Sequence, residues 1–210
     1  MSHLDVHADE LSVRFLGVHD SQSVFRTLLD SFSQPGTVFH LPATLVRQIP
    51  PVEIPLLALL GYNTPFSMVD SNTNREQLIA RATSGQVVSP SEAAYIAVCN
   101  PQNPLLPLGF PIGTAMRPDF AAQVAVQISG VFSAGSPQTS IFNISGPGVE
   151  SINHVVCSGS QPGEFDFLTR RQWSVPCGVD MWLVGVDGSV IGVPRTSSIE
   201  IGSAWNEGVA

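Results

Sequence analysis

The sequence predicts an α/β domain built on a mixed sheet, and three observations carry that reading. Helix-period segments dominate the first half, and short apolar runs of strand character dominate the second. Near the C-terminus two such runs flank Asp187-Gly188, the dipeptide favoured for a tight hairpin turn. Helices interleaved with strands of unequal length fit a layered sheet. The 210 residues suffice for one domain with a sizeable core and fall short of two, so 1–210 is read as a single domain.

The elements follow in order. Val24, Phe25, Leu28, Leu29 and Phe32 recur at three- and four-residue spacing, predicting a helix over Asp20–Phe32 capped by Asp20 or Ser21 and ended by Pro35-Gly36. A second helix is expected over Val52–Leu60, with Pro55 tolerated in its first turn. Phe66–Val69 reads as a strand, Asn74–Ala82 as an amphipathic helix, and Tyr95–Val98 as a strand closed by Asn100-Pro101. Pro101–Pro118, rich in Pro and Gly, reads as an ordered loop. Val124, Val126 and Ile128 alternate with Gln127 and Ser129, which is strand periodicity. Ile141–Ile144 is a strand stopped by Ser145-Gly146-Pro147-Gly148, and Glu164–Gln172 is a short helix. Val179–Val186 and Val190–Val193 form the hairpin, both central turn residues taking positive φ, with Val184 and Val186 on one face and Val179, Met181 and Leu183 on the other.

Composition excludes several chemistries. All nine basic residues are arginines, so no lysine amine exists for a Schiff base or a Walker A loop. A net charge of −8 opposes non-specific nucleic-acid binding. Charged residues are only 12% of the chain, which favours an exposed apolar patch and a partner to cover it. Cys99, Cys157 and Cys177 lie far apart, as buried thiols of a reducing compartment do. His3 and His7 have helical metal-pair spacing, but at a terminus, and no metal site is expected. The start lacks a signal-peptide pattern and no run of 18 apolar residues exists, so a cytoplasmic address without a membrane span is expected.

Two places offer candidate anion chemistry. Gly146-Pro147-Gly148 could aim backbone N–H groups at a phosphate. It lacks GxGxxG spacing, and a tight strand-end turn explains it equally well. Arg195 could bind phosphate or phosphonate bidentately, with Thr196 adding a hydroxyl. The structural alternative pairs Arg195 with Asp180, whose carboxylate sits in an apolar strand and needs a partner. Arg26 reads as a packing and pairing residue. His154 and Cys157 fall on opposite faces of an extended segment, and no Gly-x-Ser-x-Gly elbow occurs, so no self-contained hydrolase is read here.

Three segments, in order, resemble the H subunit family of carbon–phosphorus lyase (PhnH) over roughly residues 10–200. They are Phe25–Gly36 with its closing Pro-Gly, Ile144–Val149 with its Gly-Pro-Gly corner, and Pro176–Val184 followed by Val193-Pro194-Arg195-Thr196. Gly61 stands where the family tends to carry aspartate, and Cys177 replaces the more usual arginine. The resemblance implies a three-layer α/β/α fold with a central mixed sheet, similar to pyridoxal-phosphate transferases without the cofactor lysine. It implies a homodimer, and assembly with the G, I, J and K subunits of a core complex that forms ribose 1-alkylphosphonate 5-triphosphate from ATP and an alkylphosphonate. The nucleosidase-like chemistry belongs to another subunit, which leaves this chain an accessory or scaffold role with no cofactor. The alternative is a stand-alone binder or transformer of a phosphorylated small molecule, using Arg195, Thr196, Gly146 and Gly148 as its anion site.

Overall fold

A computed structural model describes residues 15–71, 73–100, 109–131, 139–158, 165–168 and 173–202. His3 and His7 lie outside the described residues. In chain order the named elements are α1 (Val18–Ser33), β1 (Phe39–His40), α2 (Ala43–Val46), α3 (Ile54–Leu59), β2 (Pro65–Val69), α4 (Thr73–Thr83), β3 (Gln86–Val87) and β4 (Tyr95–Val98). They continue with β5 (Gln123–Ile128), β6 (Gly130–Val131), β7 (Thr139–Ser145), β8 (Asn153–Ser158), β9 (Asp180–Gly185), β10 (Ser189–Val193) and β11 (Ser198–Gly202).

Seven strands form a mixed sheet in the order β1-β10-β9-β5-β4-β2-β3. The pairs from β9 through β5, β4 and β2 to β3 are parallel, and β10 runs antiparallel to both its neighbours. Strands buried on both faces need apolar residues at successive positions, as Val124, Ala125 and Val126 show. One face, through Ala97, Ala125, Trp182, Val184 and Val190, joins a core with Val24, Leu28, Ile54 and Leu57 of the helices. The opposite face, through Ile96, Val98, Val124, Val126, Met181 and Leu183, packs on Phe142, Ile144, Val155 and Cys157. Those four belong to a second, four-stranded antiparallel sheet in the order β11-β7-β8-β6. Among the described residues that sheet stands where an α/β/α arrangement would put its other helical layer.

Helix α1 shows how closely the helical layer lies. A Cβ on Gly192 of β10 would sit 2.3 Å from the Ser31 carbonyl oxygen, so only glycine admits the helix backbone there. The Trp182 indole donates to the Leu28 carbonyl at 3.3 Å and stacks on Phe32, with ring centroids 4.6 Å apart. This seam buries the line Val24, Leu28 and Ser31, and leaves Phe25 (49%) and Leu29 (55%) exposed, contrary to the broad apolar face read from spacing. The helix begins at Val18 with Gly17 as its cap and no side-chain capping bond. Asp20 falls in the first turn instead, where a negative charge favours the positive end of the helix. Arg26 is exposed and makes no ion pair among the described residues, which corrects its reading as a pairing residue.

The hairpin is present, but its turn is one residue longer than the dipeptide suggests. Val190 pairs with Val184, and Gly188 donates to the Gly185 carbonyl at 2.9 Å. Among Val186, Asp187 and Gly188 only the glycine has positive φ, at 86°. This is the three-residue form, a turn followed by a left-handed glycine. Asp187 fixes it by accepting from the Ser189 amide at 3.0 Å and hydroxyl at 2.6 Å. Val184 is buried as expected, whereas Val186 has left the strand and is half exposed. Of the expected helix Glu164–Gln172, residues 164 and 169–172 lie outside the described residues, and Asp166–Leu168 forms one 3-10 turn. Likewise 101–108 of the expected loop lie outside, and Ile112 makes an isolated bridge to Ala121.

Gly192→Ala should lower stability by about 3 kcal/mol in urea unfolding, because a methyl group meets backbone that cannot step aside. Gly61→Ala, whose added carbon meets nothing nearer than 3.9 Å, should stay within about 0.5 kcal/mol. Equal effects at the two glycines would contradict the close helix–strand seam.

Candidate functional site

Arg195 lies just beyond β10, where the chain leaves the large sheet for β11 of the second. Its backbone amide donates to Asp180 Oδ1 at 2.8 Å, and its Nε reaches both carboxylate oxygens at 3.1 and 3.2 Å. Nη2 donates to Asp180 Oδ2 at 2.6 Å, and Nη1 to the Pro118 carbonyl at 2.8 Å. Both side chains are mostly covered, at 17% and 19% exposure. The guanidinium thus closes three segments together, and the carboxylate facing it takes the place a bound anion would need. Pro118 opens the 3-10 turn Pro118–Phe120, which is held on its outer side by the exposed Arg117–Asp119 pair.

The glycine corner joins the same region from the second sheet. Gly146, with φ 130°, has space for a Cβ only 3.1 Å from the Thr196 carbonyl and 3.2 Å from Ser197 Cα. Gly148, with φ 84°, lies correspondingly 3.0 Å from the Ser33 carbonyl. Val149 donates to the Gly146 carbonyl at 3.1 Å, closing a tight turn. The structure therefore brings Gly146 against Thr196, whose side chain is exposed, and seats Gly148 on the end of α1. Asn153 completes the joint by donating its amide to the Pro35 carbonyl at 2.7 Å. In this geometry the glycines serve close backbone approach between elements.

A second polar cluster escaped the sequence reading. Glu53, buried in the 3-10 turn Pro51–Glu53, accepts from Arg75 Nε at 2.9 Å and from Arg75 Nη2 at closer range. Next to Arg75 in α4, Glu76 accepts the Met68 amide of β2 at 2.8 Å. This cluster gathers beyond the carboxyl ends of β2 and β4, where open parallel sheets place their ligands. Its signal in the sequence was Glu53 itself, a lone carboxylate amid Pro51, Val52, Ile54 and Pro55 that demands a cation. Nothing local showed that the cation is Arg75. The Cys99 thiol nearby is pushed up to about 11, chiefly by burial and next by the Glu53 and Asp70 carboxylates, with Arg75 opposing. Three carboxylates around one paired arginine make this an unsuitable seat for a phosphonate.

His154 and Cys157 fall on opposite faces of β8. Cys157 is buried, and His154 Nδ1 lies 2.8 Å from Asn143 Oδ1 on the outer face. No group of three or more potential metal ligands occurs among the described residues, and no described helix is long and apolar enough to cross a membrane.

The family model described as "Bacterial phosphonate metabolism protein (PhnH)" matches residues 16–200. A protein of Rhizobium meliloti (strain 1021), named alpha-D-ribose 1-methylphosphonate 5-triphosphate synthase subunit PhnH, is 25% identical over 189 residues. The alignment covers 87% of this chain and 92% of that relative.

Two outcomes test these geometries. Arg195→Ala should cost about 2–3 kcal/mol in thermal or denaturant unfolding, since it strands a half-buried carboxylate. A loss under 0.5 kcal/mol would mean the clasp is not structural. Alkylation of Cys99 by iodoacetamide, followed by peptide mass, should rise about tenfold per pH unit from pH 8 to 10, because only the thiolate reacts. A plateau already at pH 9 would contradict the raised thiol.

Proposed function

The chain belongs to the PhnH family of bacterial phosphonate metabolism proteins, and from that premise we propose that it is the H subunit of a carbon–phosphorus lyase core complex. In that role it assists formation of ribose 1-alkylphosphonate 5-triphosphate from ATP and an alkylphosphonate, working with the G, I, J and K subunits in the cytoplasm. The relative's name as a subunit of the corresponding methylphosphonate synthase supports the assignment. The observation that favours an accessory part is the state of Arg195. Its guanidinium is committed to Asp180 and the Pro118 carbonyl rather than open to an anion. A transferase activity of the assembled complex then draws its chemistry from other subunits.

The fold belongs to the same proposal. A seven-stranded sheet, parallel but for one strand, supports kinship with pyridoxal-phosphate transferases. A chain without lysine cannot anchor that cofactor as they do. Both cores lie on the two faces of one sheet, which supports a single-domain chain.

Self-association is the third part. Val18, Phe25 and Leu29 lie within a narrow arc of α1 and are 84%, 49% and 55% exposed. Such a stripe suits a two-fold helix pairing, the commonest way for a soluble chain to cover an apolar face. The isolated protein is therefore a homodimer, and the same stripe serves the neighbouring subunit in the complex.

The remaining alternative is a stand-alone phosphate binder using Arg195, Thr196, Gly146 and Gly148. It requires the guanidinium to exchange Asp180 for ligand oxygens. Calorimetry with ATP and methylphosphonate separates the two readings. Millimolar-or-better binding that Arg195→Ala abolishes would favour the alternative.

Affinity capture of the tagged chain should retain the G, I, J and K subunits, and assembly of those four into an active complex without it would sink the subunit assignment. Light scattering should give twice the 22.3 kDa chain mass for the isolated protein, and one chain mass for Phe25→Glu/Leu29→Glu. An unchanged dimer in that variant would move the interface away from α1.

A further inference from the structure

A short hairpin stands ahead of β5, at the end of the large sheet that also carries the Arg195 clasp. Thr114 and Arg117 close its tip by exchanging two backbone hydrogen bonds, each 3.1 Å, and the Thr114 hydroxyl also accepts from the Arg117 amide at 3.0 Å. Ala115 and Met116 therefore form a two-residue apex. Gly113, at φ 70°, permits this closure, since a Cβ there would lie 2.9 Å from the Arg117 carbonyl oxygen. The base is pinned at two points. The Gly178 amide donates to the Ile112 carbonyl at 2.8 Å, and Arg195 holds the Pro118 carbonyl. On this fixed frame Met116 is 88% exposed and Phe120 60%. The Arg117 guanidinium lies over the Phe120 ring, 3.8 Å from its centroid, and pairs with Asp119 through Nε and Nη2.

We propose that this hairpin is a docking anchor for another subunit of the phosphonate complex, which receives Met116 and Phe120 in an uncharged, apolar pocket. The proposal rests on the subunit reading above. A lone exposed apolar side chain is ordinary. Here methionine, arginine and phenylalanine stand together on one tight loop, and these are the residue types enriched where proteins meet. The frame is already ordered by its own hydrogen bonds, so docking adds little conformational cost. Arg117 is neutralised by Asp119 within the hairpin, so the tip asks for no countercharge from its partner. A second copy of this chain is the poorer occupant. A tip of this size covers far less than the about 800 Å² per partner of a stable two-body interface. It suits a chain that is held by further contacts, as a subunit of an assembly is.

Methionine oxidation tests this on the unaltered chain, because Met116 is exposed while Met68 and Met181 are buried. The protein is treated with dilute peroxide, alone and assembled with purified G, I, J and K subunits, and sulfoxide is read by peptide mass. In the isolated protein Met116 should oxidise well ahead of Met68 and Met181. In the assembly its oxidation should slow severalfold. Met116→Asp, and independently Phe120→Ser, should weaken capture of the other subunits at least about tenfold, as loss of an interface anchor does. Neither should change the mass of the isolated protein in light scattering. Equal oxidation of Met116 in both states would overturn the proposal and leave the subunit assignment intact. Undiminished capture by both variants would do the same. Slow oxidation in the isolated protein would mean that residues 101–108 or a second copy cover the tip, which also overturns it. If the unaltered chain captures none of the four subunits, the subunit assignment itself falls and this proposal with it.

Discussion

The contact on which both sheets depend is the pairing of Arg195 with Asp180. Asp180 opens β9 opposite Gln123 of β5, so it sits at the start of two central parallel strands. Arg195 closes the exit from β10, and its reach to Pro118 ties down the turn that precedes β5. The chain then crosses directly to β11, the edge of the second sheet, with Thr196 lying under Gly146. One side chain therefore aligns the ends of three strands and sets where the second sheet begins. An ion pair so covered contributes little by Coulomb attraction alone. Its value lies in how many chain segments lose their geometry when either partner is removed.

A further constraint is that the large sheet has no free face. Toward the helices Trp182 is flanked in register by the small residues Ala125 and Gly192, with Ala97 beyond, and at Gly192 the backbone of α1 comes close. Residues toward the second sheet are branched or long, with Ile96, Val124, Met181 and Leu183. The interior is consequently given over to packing, and polar chemistry is left to the rims and the surface. That arrangement suits a chain whose work is done through contacts with other subunits.

Much of this was legible in the residues. Phe66–Val69, Tyr95–Val98 and the alternation around Val124 became strands because their apolar runs match a sheet covered on both faces. The Asp180–Arg195 pair followed from a charge placed in an apolar strand. The second sheet was less visible. Its strands β8 and β11, Asn153–Ser158 and Ser198–Gly202, mix short apolar stretches, Val155 to Cys157 in one and Ile199 and Ile201 in the other, with ordinary polar residues, which resemble loop sequence. The Asp187-Gly188 dipeptide located the hairpin but not its length, which the register of Val184 with Val190 sets at three turn residues. The apolar stripe of α1 misled in the opposite sense. Spacing reports which residues share a face of a helix, and says nothing about how wide a surface the fold offers to cover it. The Glu53–Arg75 bond joins residues whose proximity only the fold creates.

One small bond, the Met68 amide donating to Glu76, has a consequence for behaviour in a crowded solution. Strand β3 covers β2 only at Pro65 and Phe66, so beyond that point β2 would present an unpaired edge. The Glu76 carboxylate occupies the amide that an invading strand would use first, and adds a negative charge where that strand would lie. A helix side chain thus stands in for a missing neighbour strand. The sheet ends without offering a template to another chain, and the protein can leave its outermost strand only two residues long.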